Sequence, residues 1–129
     1  MAQVPDWERV YGKGYTVIKG SFAPNGASAL VAANTYGTGF TVARQGVGVF
    51  RLTLAEPKLF KLYSKSVDLQ LNALADTDVM FGPFVAATAT AAATLDILVK
   101  TAGVAADIAA NANNRIDFEI TVSTHESVV

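Results

Sequence analysis

The chain has no cysteine and a single histidine, His125, among its 129 residues. The first absence excludes disulfides, thiolate nucleophiles, iron–sulfur clusters and thiolate zinc sites together. The second excludes a two-histidine metal site within one chain and leaves only the C-terminal tail to supply a histidine base. Charge is scarce as well: 16% of residues are charged, and ten basic against eleven acidic residues leave a net charge of −1. The long-range attraction to phosphate that opens nucleic-acid binding is therefore missing, and no nucleic-acid partner is expected. Long apolar runs are also lacking. The most apolar stretch, residues 84–93, is broken by Thr88 and Thr90 and is far shorter than the ~20 residues that cross a bilayer. The opening residues MAQVPDWERV lack the basic, apolar and small-residue succession of a secretory leader, and no Asn-x-Ser/Thr sequon occurs. Neither a membrane partner nor a glycosylated secreted domain is expected.

What the chain does have is alternation. In residues 66–73, Val67, Leu69, Leu71 and Ala73 share one side while Ser66, Asp68, Gln70 and Asn72 share the other. In residues 115–122, Ile116, Phe118, Ile120 and Val122 alternate with Arg115, Asp117, Glu119 and Thr121. A period of two marks strands with one face in a core and one in water. Residues 50–54 and 94–99 repeat the pattern, and residues 15–22, 40–44 and 79–87 complete a set by composition and bounding turn residues. About seven to eight strands joined by turns, without alternating helices, predict an all-β fold: an antiparallel β-sandwich of jelly-roll-like type. The length fits one domain, divided here into an N-terminal arm over residues 1–14 and a single sandwich over 15–129. Phe50, Leu52, Leu54, Val67, Leu69, Leu71, Ile97, Phe118 and Ile120 are the expected core.

Breakers separate the strands: Pro24-Asn25-Gly26, Gly37-Thr38-Gly39, Gln45-Gly46, Glu56-Pro57 and the Asn-rich residues 111–114. The low-complexity stretch AATATAAAT at 86–94 is read as strand, turn and strand. Residues 102–114 read as a long connection with one helical turn around 105–110.

Several constellations invite chemistry and do not sustain it. Gly12/Gly14, Gly37/Gly39 and Gly46/Gly48 are Gly-x-Gly pieces, but a dinucleotide fingerprint needs a third glycine where Val17, Val42 and Arg51 stand. Turns or bulges account for them. Asp76 and Asp78, with Asp68, Asp96 and Asp107 elsewhere, fall short of the six to eight oxygens of a calcium cage, so no metal and no cofactor are expected. His125 sits among Ser123, Thr124, Glu126 and Ser127 without a strained nucleophile turn. Lys58, Lys61 and Lys65 interleave with Leu59, Phe60, Leu62 and Tyr63, a mixture that holds single-stranded nucleic acid elsewhere, but three lysines flanked by Glu56 and Asp68 are few. Leu59, Phe60 and Leu62 read as plugs at one end of the sandwich. The chain is read as not an enzyme.

Contact residues stand out more clearly. Trp7, Tyr11 and Tyr15 lie beside Asp6, Glu8, Arg9 and Lys13 in a stretch without alternation, and Trp and Tyr give large contact area at low entropy cost. They are the expected partner-binding residues, with His125, Val128 and Val129 as a second arm.

The run from Gly46 to Leu54, the alternation from Val67 to Ala73, and Ala109-Ala110-Asn111-Ala112-Asn113-Asn114-Arg115-Ile116-Asp117-Phe118 resemble the small head decoration, or cement, proteins of tailed bacteriophages. The resemblance runs from about Phe40 onward, its distinctive part being the Asn-rich turn that feeds a final strand; the first forty residues do not share it. It implies an all-β virion protein, made in the host cytoplasm, that binds the capsid exterior as a homodimer or homotrimer. Its partners would be the major capsid protein and itself, and it would reinforce contacts between capsid subunits. Alternatives are a tail or baseplate component, or a carbohydrate-binding sandwich in which Trp7, Tyr36 and Tyr63 form a stacking platform.

Overall fold

The alternating runs do form strands. In the computed structural model, which describes residues 15–55, 61–73 and 75–123, most of the described residues are in strands and none is in an α-helix. The strands are β1 (Tyr15–Phe22), β2 (Thr35–Gly37), β3 (Phe40–Gly46), β4 (Val49–Leu54), β5 (Lys61–Gln70), β6 (Thr77–Val85), β7 (Thr94–Thr101), β8 (Val104–Ala105) and β9 (Arg115–Ser123). They make two antiparallel sheets. Sheet A has the order β2-β1-β9-β5; sheet B has the order β3-β4-β7-β6, with β8 beside β7. The molecule is a β-sandwich. Its jelly-roll likeness is confined to the two packed sheets, because the consecutive pairs β1–β2, β3–β4 and β6–β7 each stay within one sheet.

The period of two decides which residues fill the space between the sheets. Along β9, Ile116, Phe118, Ile120 and Val122 are buried while Asp117 and Glu119 face water. They meet Phe50, Leu52 and Leu54 of β4 and Leu95, Ile97 and Val99 of β7. Each such side chain withdrawn from water contributes ~1.5–3 kcal/mol. Val67, Leu69 and Leu71, also expected in the core, are half-buried and pack against its margin, because β5 is an edge strand. Two ring pairs bridge the sheets: Phe22 with Phe50 at 5.1 Å, and Phe40 with Phe118 edge-to-face at 4.9 Å.

Edge strands expose unpaired backbone groups; of the edges here, β2 is only three residues long and the other three are interrupted. The register shifts between Phe81 and Phe84 on β6, where Pro83 removes an N–H, between Leu62 and Ser64 on β5, and between Arg44 and Gly46 on β3. At the corner where β5 meets β6, the Lys65 ammonium lies 5.7 Å from the Phe81 ring centroid and covers it.

Two connections differ from the sequence reading. Residues 86–93 form neither strand nor helix, because Thr88 closes a local turn: its N–H reaches the Ala91 carbonyl at 2.8 Å and its hydroxyl accepts the Ala91 N–H at 3.1 Å. Residues 105–110 hold no helical turn. Ala102 and Gly103, at φ 51° and 82°, make a two-residue hairpin into β8, and the Ala106 N–H then bonds the Val99 carbonyl at 3.1 Å. The Gly-x-Gly pieces at 37–39 and 46–48 serve turns: Gly37, Gly39 and Gly48 take φ of 122°, 89° and 65°.

Candidate interaction surfaces

Of the expected contact residues, Trp7, Tyr11, His125, Val128 and Val129 lie outside the described residues, and of Tyr15 only the backbone position is described. The register nevertheless relates the segments that carry them. Tyr15 opens β1 opposite Ser123, which closes β9, and Ser123 is also paired with Lys61, the first residue of β5. Residues 1–14, 124–129 and 56–60 therefore all join the described fold at one row across one end of sheet A. Val17, one step inward on β1, faces solvent beside Thr121.

The outer face of sheet B carries an apolar row made by register: Val49 opposite Leu98, and Leu98 opposite Met80. Met80 is 43% exposed. Val85 lies further along β6, and Val47 and Val104 project at the β3–β4 and β7–β8 turns, all three more than half exposed. One charge pair on this face is matched: Arg51 donates to Asp96 from Nε at 2.9 Å and Nη2 at 3.3 Å, which raises the Arg51 pKa above its ordinary value; Lys100 and Asp78 occupy opposed register positions.

The outer face of sheet A is polar around one exposed aromatic. Tyr36 of β2 pairs with Ser21, and Ser21 with Asp117. Arg115 lays its guanidinium 4.8 Å from the Tyr36 ring centroid and donates to Ser21 Oγ from Nε at 3.0 Å and from Nη2. Sequence reading singled out Tyr36 but neither Arg115 nor Asp117 as its neighbours, since the positions are 79 or more residues apart in the chain and only strand register unites them. Tyr36 and Tyr63, named above for a carbohydrate platform with Trp7, lie on opposite edge strands of sheet A, their backbones roughly 20 Å apart at standard strand spacing and rise; Trp7 and the side chain of Tyr63 lie outside what the structure describes.

Two of the acidic residues weighed for metal binding, Asp96 and Asp107, hold arginines. Asp107 accepts from Arg44 Nε at 3.0 Å, Arg44 Nη2 at 2.8 Å and the Gly48 N–H at 3.1 Å, clamping the β3–β4 turn to the irregular segment connecting β8 with β9. The Arg44 hydrogen bonds hold the Asp107 carboxyl below the usual carboxylate range against the opposing effect of burial, and the Gly48 amide assists. Among the described residues no three His, Cys, Asp or Glu side chains are grouped to hold a metal ion.

Comparison with known proteins gives no match to any family model, any curated protein or any solved structure.

Proposed function

We propose that the chain is a non-enzymatic decoration protein of a tailed-bacteriophage head. It binds the major capsid protein on the capsid exterior, associates with itself as a homodimer or homotrimer, and reinforces contacts between capsid subunits without cofactor, nucleic acid or membrane. One observation carries the reading: the Tyr15–Ser123–Lys61 row gathers at one end of sheet A the points of attachment of both segments expected to carry contact residues. Arms rooted together on a rigid scaffold act on one partner surface, and a lattice multiplies modest contacts by avidity. The apolar row of Val49, Leu98 and Met80 supports self-association, because it offers apolar area on an outer sheet face of the kind that interface cores bury.

The test is the heat resistance of phage heads lacking this protein, measured with and without the purified chain. The reading requires that added chain raise the disruption temperature and saturate at a fixed ratio to the capsid protein. Heads that are unaffected while isolated tails bind the chain would move it to the tail or baseplate.

A further inference from the structure

The end of sheet A away from the Tyr15–Ser123–Lys61 row holds a partly enclosed depression of about 510 Å³, within the ~300–1,000 Å³ of small-ligand clefts. Three segments meet round it: the bend after β1, the 3₁₀ turn Ala32–Asn34 that leads into β2, and the Asn-rich turn that leads into β9. Backbone bonds brace all three, from the Gly26 N–H to the Ile108 carbonyl at 2.9 Å, from Asn34 to Val31 at 2.9 Å and from Asn114 to Asn111 at 3.0 Å. Part of the wall is apolar, with Val31 47% exposed. Polar groups converge from the same three segments. Asn25 Nδ2 donates to the Ala29 carbonyl and Asn111 Oδ1 accepts the Asn113 N–H, each at 2.9 Å. Asn25 Oδ1, Asn111 Nδ2 and the whole Asn34 amide are left without a hydrogen bond to a described residue.

Arg115 is the one charged group on this wall among the described residues. The other described arginines, Arg44 and Arg51, each hold a carboxylate through two nitrogens. Arg115 holds none: Ser21 Oγ and the Tyr36 ring, 4.8 Å away, fix its guanidinium instead. Asp117, the next outward residue of β9, lines the neighbouring depression and not this one. A guanidinium already held by a hydroxyl and a ring gives up little further freedom on meeting an anion.

We propose that this depression binds a hexuronate, the carboxylate-bearing unit of an acidic polysaccharide. The carboxylate takes the charge-assisted hydrogen bonds that Arg115 gives to no described residue. The ring hydroxyls meet Asn25, Asn34 and Asn111, since an amide side chain both donates and accepts, as a hydroxyl does. The C–H face of the sugar covers Val31 and Ala112. A bare phosphate or carboxylate would leave the asparagine acceptors and the apolar wall unused. The site lies at the far end of sheet A from the attachment row, so a chain anchored by that row keeps it open to the surroundings. Binding itself requires no capsid.

The test titrates the full chain with trigalacturonate at low salt and follows backbone amide shifts, beside trigalacturonate methylated at every carboxylate and a capped tri-glutamate peptide. The expected result is saturable trigalacturonate binding that shifts the amides of Asn34, Tyr36 and Ala112 and weakens with salt. The methyl ester keeps the hydroxyls and loses the charge; it should bind about tenfold or more weakly, as should the acid to Arg115→Gln. Asn34→Ala should weaken binding about three- to tenfold. Asn34 is exposed and its amide braces nothing described, so that variant should melt with the parent, which separates lost binding from lost folding. Absence of saturable shifts at millimolar trigalacturonate, shifts elsewhere, a methyl ester that binds as tightly, tri-glutamate that displaces the sugar, or unchanged affinity in Asn34→Ala would each overturn the proposal. Heads play no part in this measurement, so its failure leaves the decoration reading standing.

Discussion

Gly20 of β1 lies directly beneath the ring of Phe40 of β3, so close that a Cβ on Gly20 would overlap it and would also sit 2.7 Å from Phe118 Cζ. The absent side chain lets the Phe40–Phe118 pair press against the backbone of sheet A. Gly20→Ala should therefore destabilise by about 1–3 kcal/mol, the usual cost of overpacking a well-filled core. The midpoint of urea unfolding checks this. A change below a few tenths of a kcal/mol would show that the ring pair shifts freely.

Ala102 takes a left-handed conformation, φ 51°, in front of Gly103. That geometry costs an ordinary L-residue about 1 kcal/mol, and Asn-Gly is the preferred pair for such a hairpin. Ala102→Asn should raise stability by about 0.5–1 kcal/mol, read as a higher melting temperature. The residue is exposed, so no packing loss offsets the gain.

The Arg44–Asp107 clamp sets a response to acid. Because Arg44 keeps the folded Asp107 pKa below its unfolded value, near 3.9, the clamp's contribution is complete above that pH and drains away as pH falls through the lower folded value. Asp107→Asn should be less stable than the parent at about pH 6 and should lose less stability between about pH 5 and 3. Urea midpoints of both proteins across that range decide it; parallel curves would contradict it.

Asn114 is buried and fully engaged: its Oδ1 accepts the Asn72 N–H at 2.7 Å, and its Nδ2 donates to the Ala109 carbonyl at 2.9 Å. It ties the turn before β9 to the end of β5. Asn114→Leu strands both backbone groups and should cost about 2–3 kcal/mol, with amide exchange at Asn72 accelerating more than at Ile97 in the core.

Much of the fold was legible in sequence because the core depends on a local pattern. The alternation of Ile116, Phe118, Ile120 and Val122 states its own buried face whatever the partner strand, and Gly37, Gly39 and Gly48 mark turns by residue type. Residues 86–93 were misread because Thr88 binds its own local backbone, a choice that composition does not reveal. The surfaces were least legible. Asp68 faces Asp117, and Arg115 covers Tyr36, only because β9 runs between β1 and β5, and strand order is a property of the whole chain. The Asn-rich turn was noticed as a pattern, but that one of its asparagines reaches back to Asn72 was not.

The central claim, that the chain works by binding assembled capsid through segments rooted at one end of sheet A, is tested most directly by co-sedimentation with heads that lack it. Full-length chain and chain lacking residues 1–14 are compared at matched concentration, with circular dichroism melting as the control for folding. The account predicts that the full chain pellets with heads at a saturating ratio, and that the shortened chain melts normally but stays in solution. Full-length chain that remains folded and soluble in the presence of heads would contradict it.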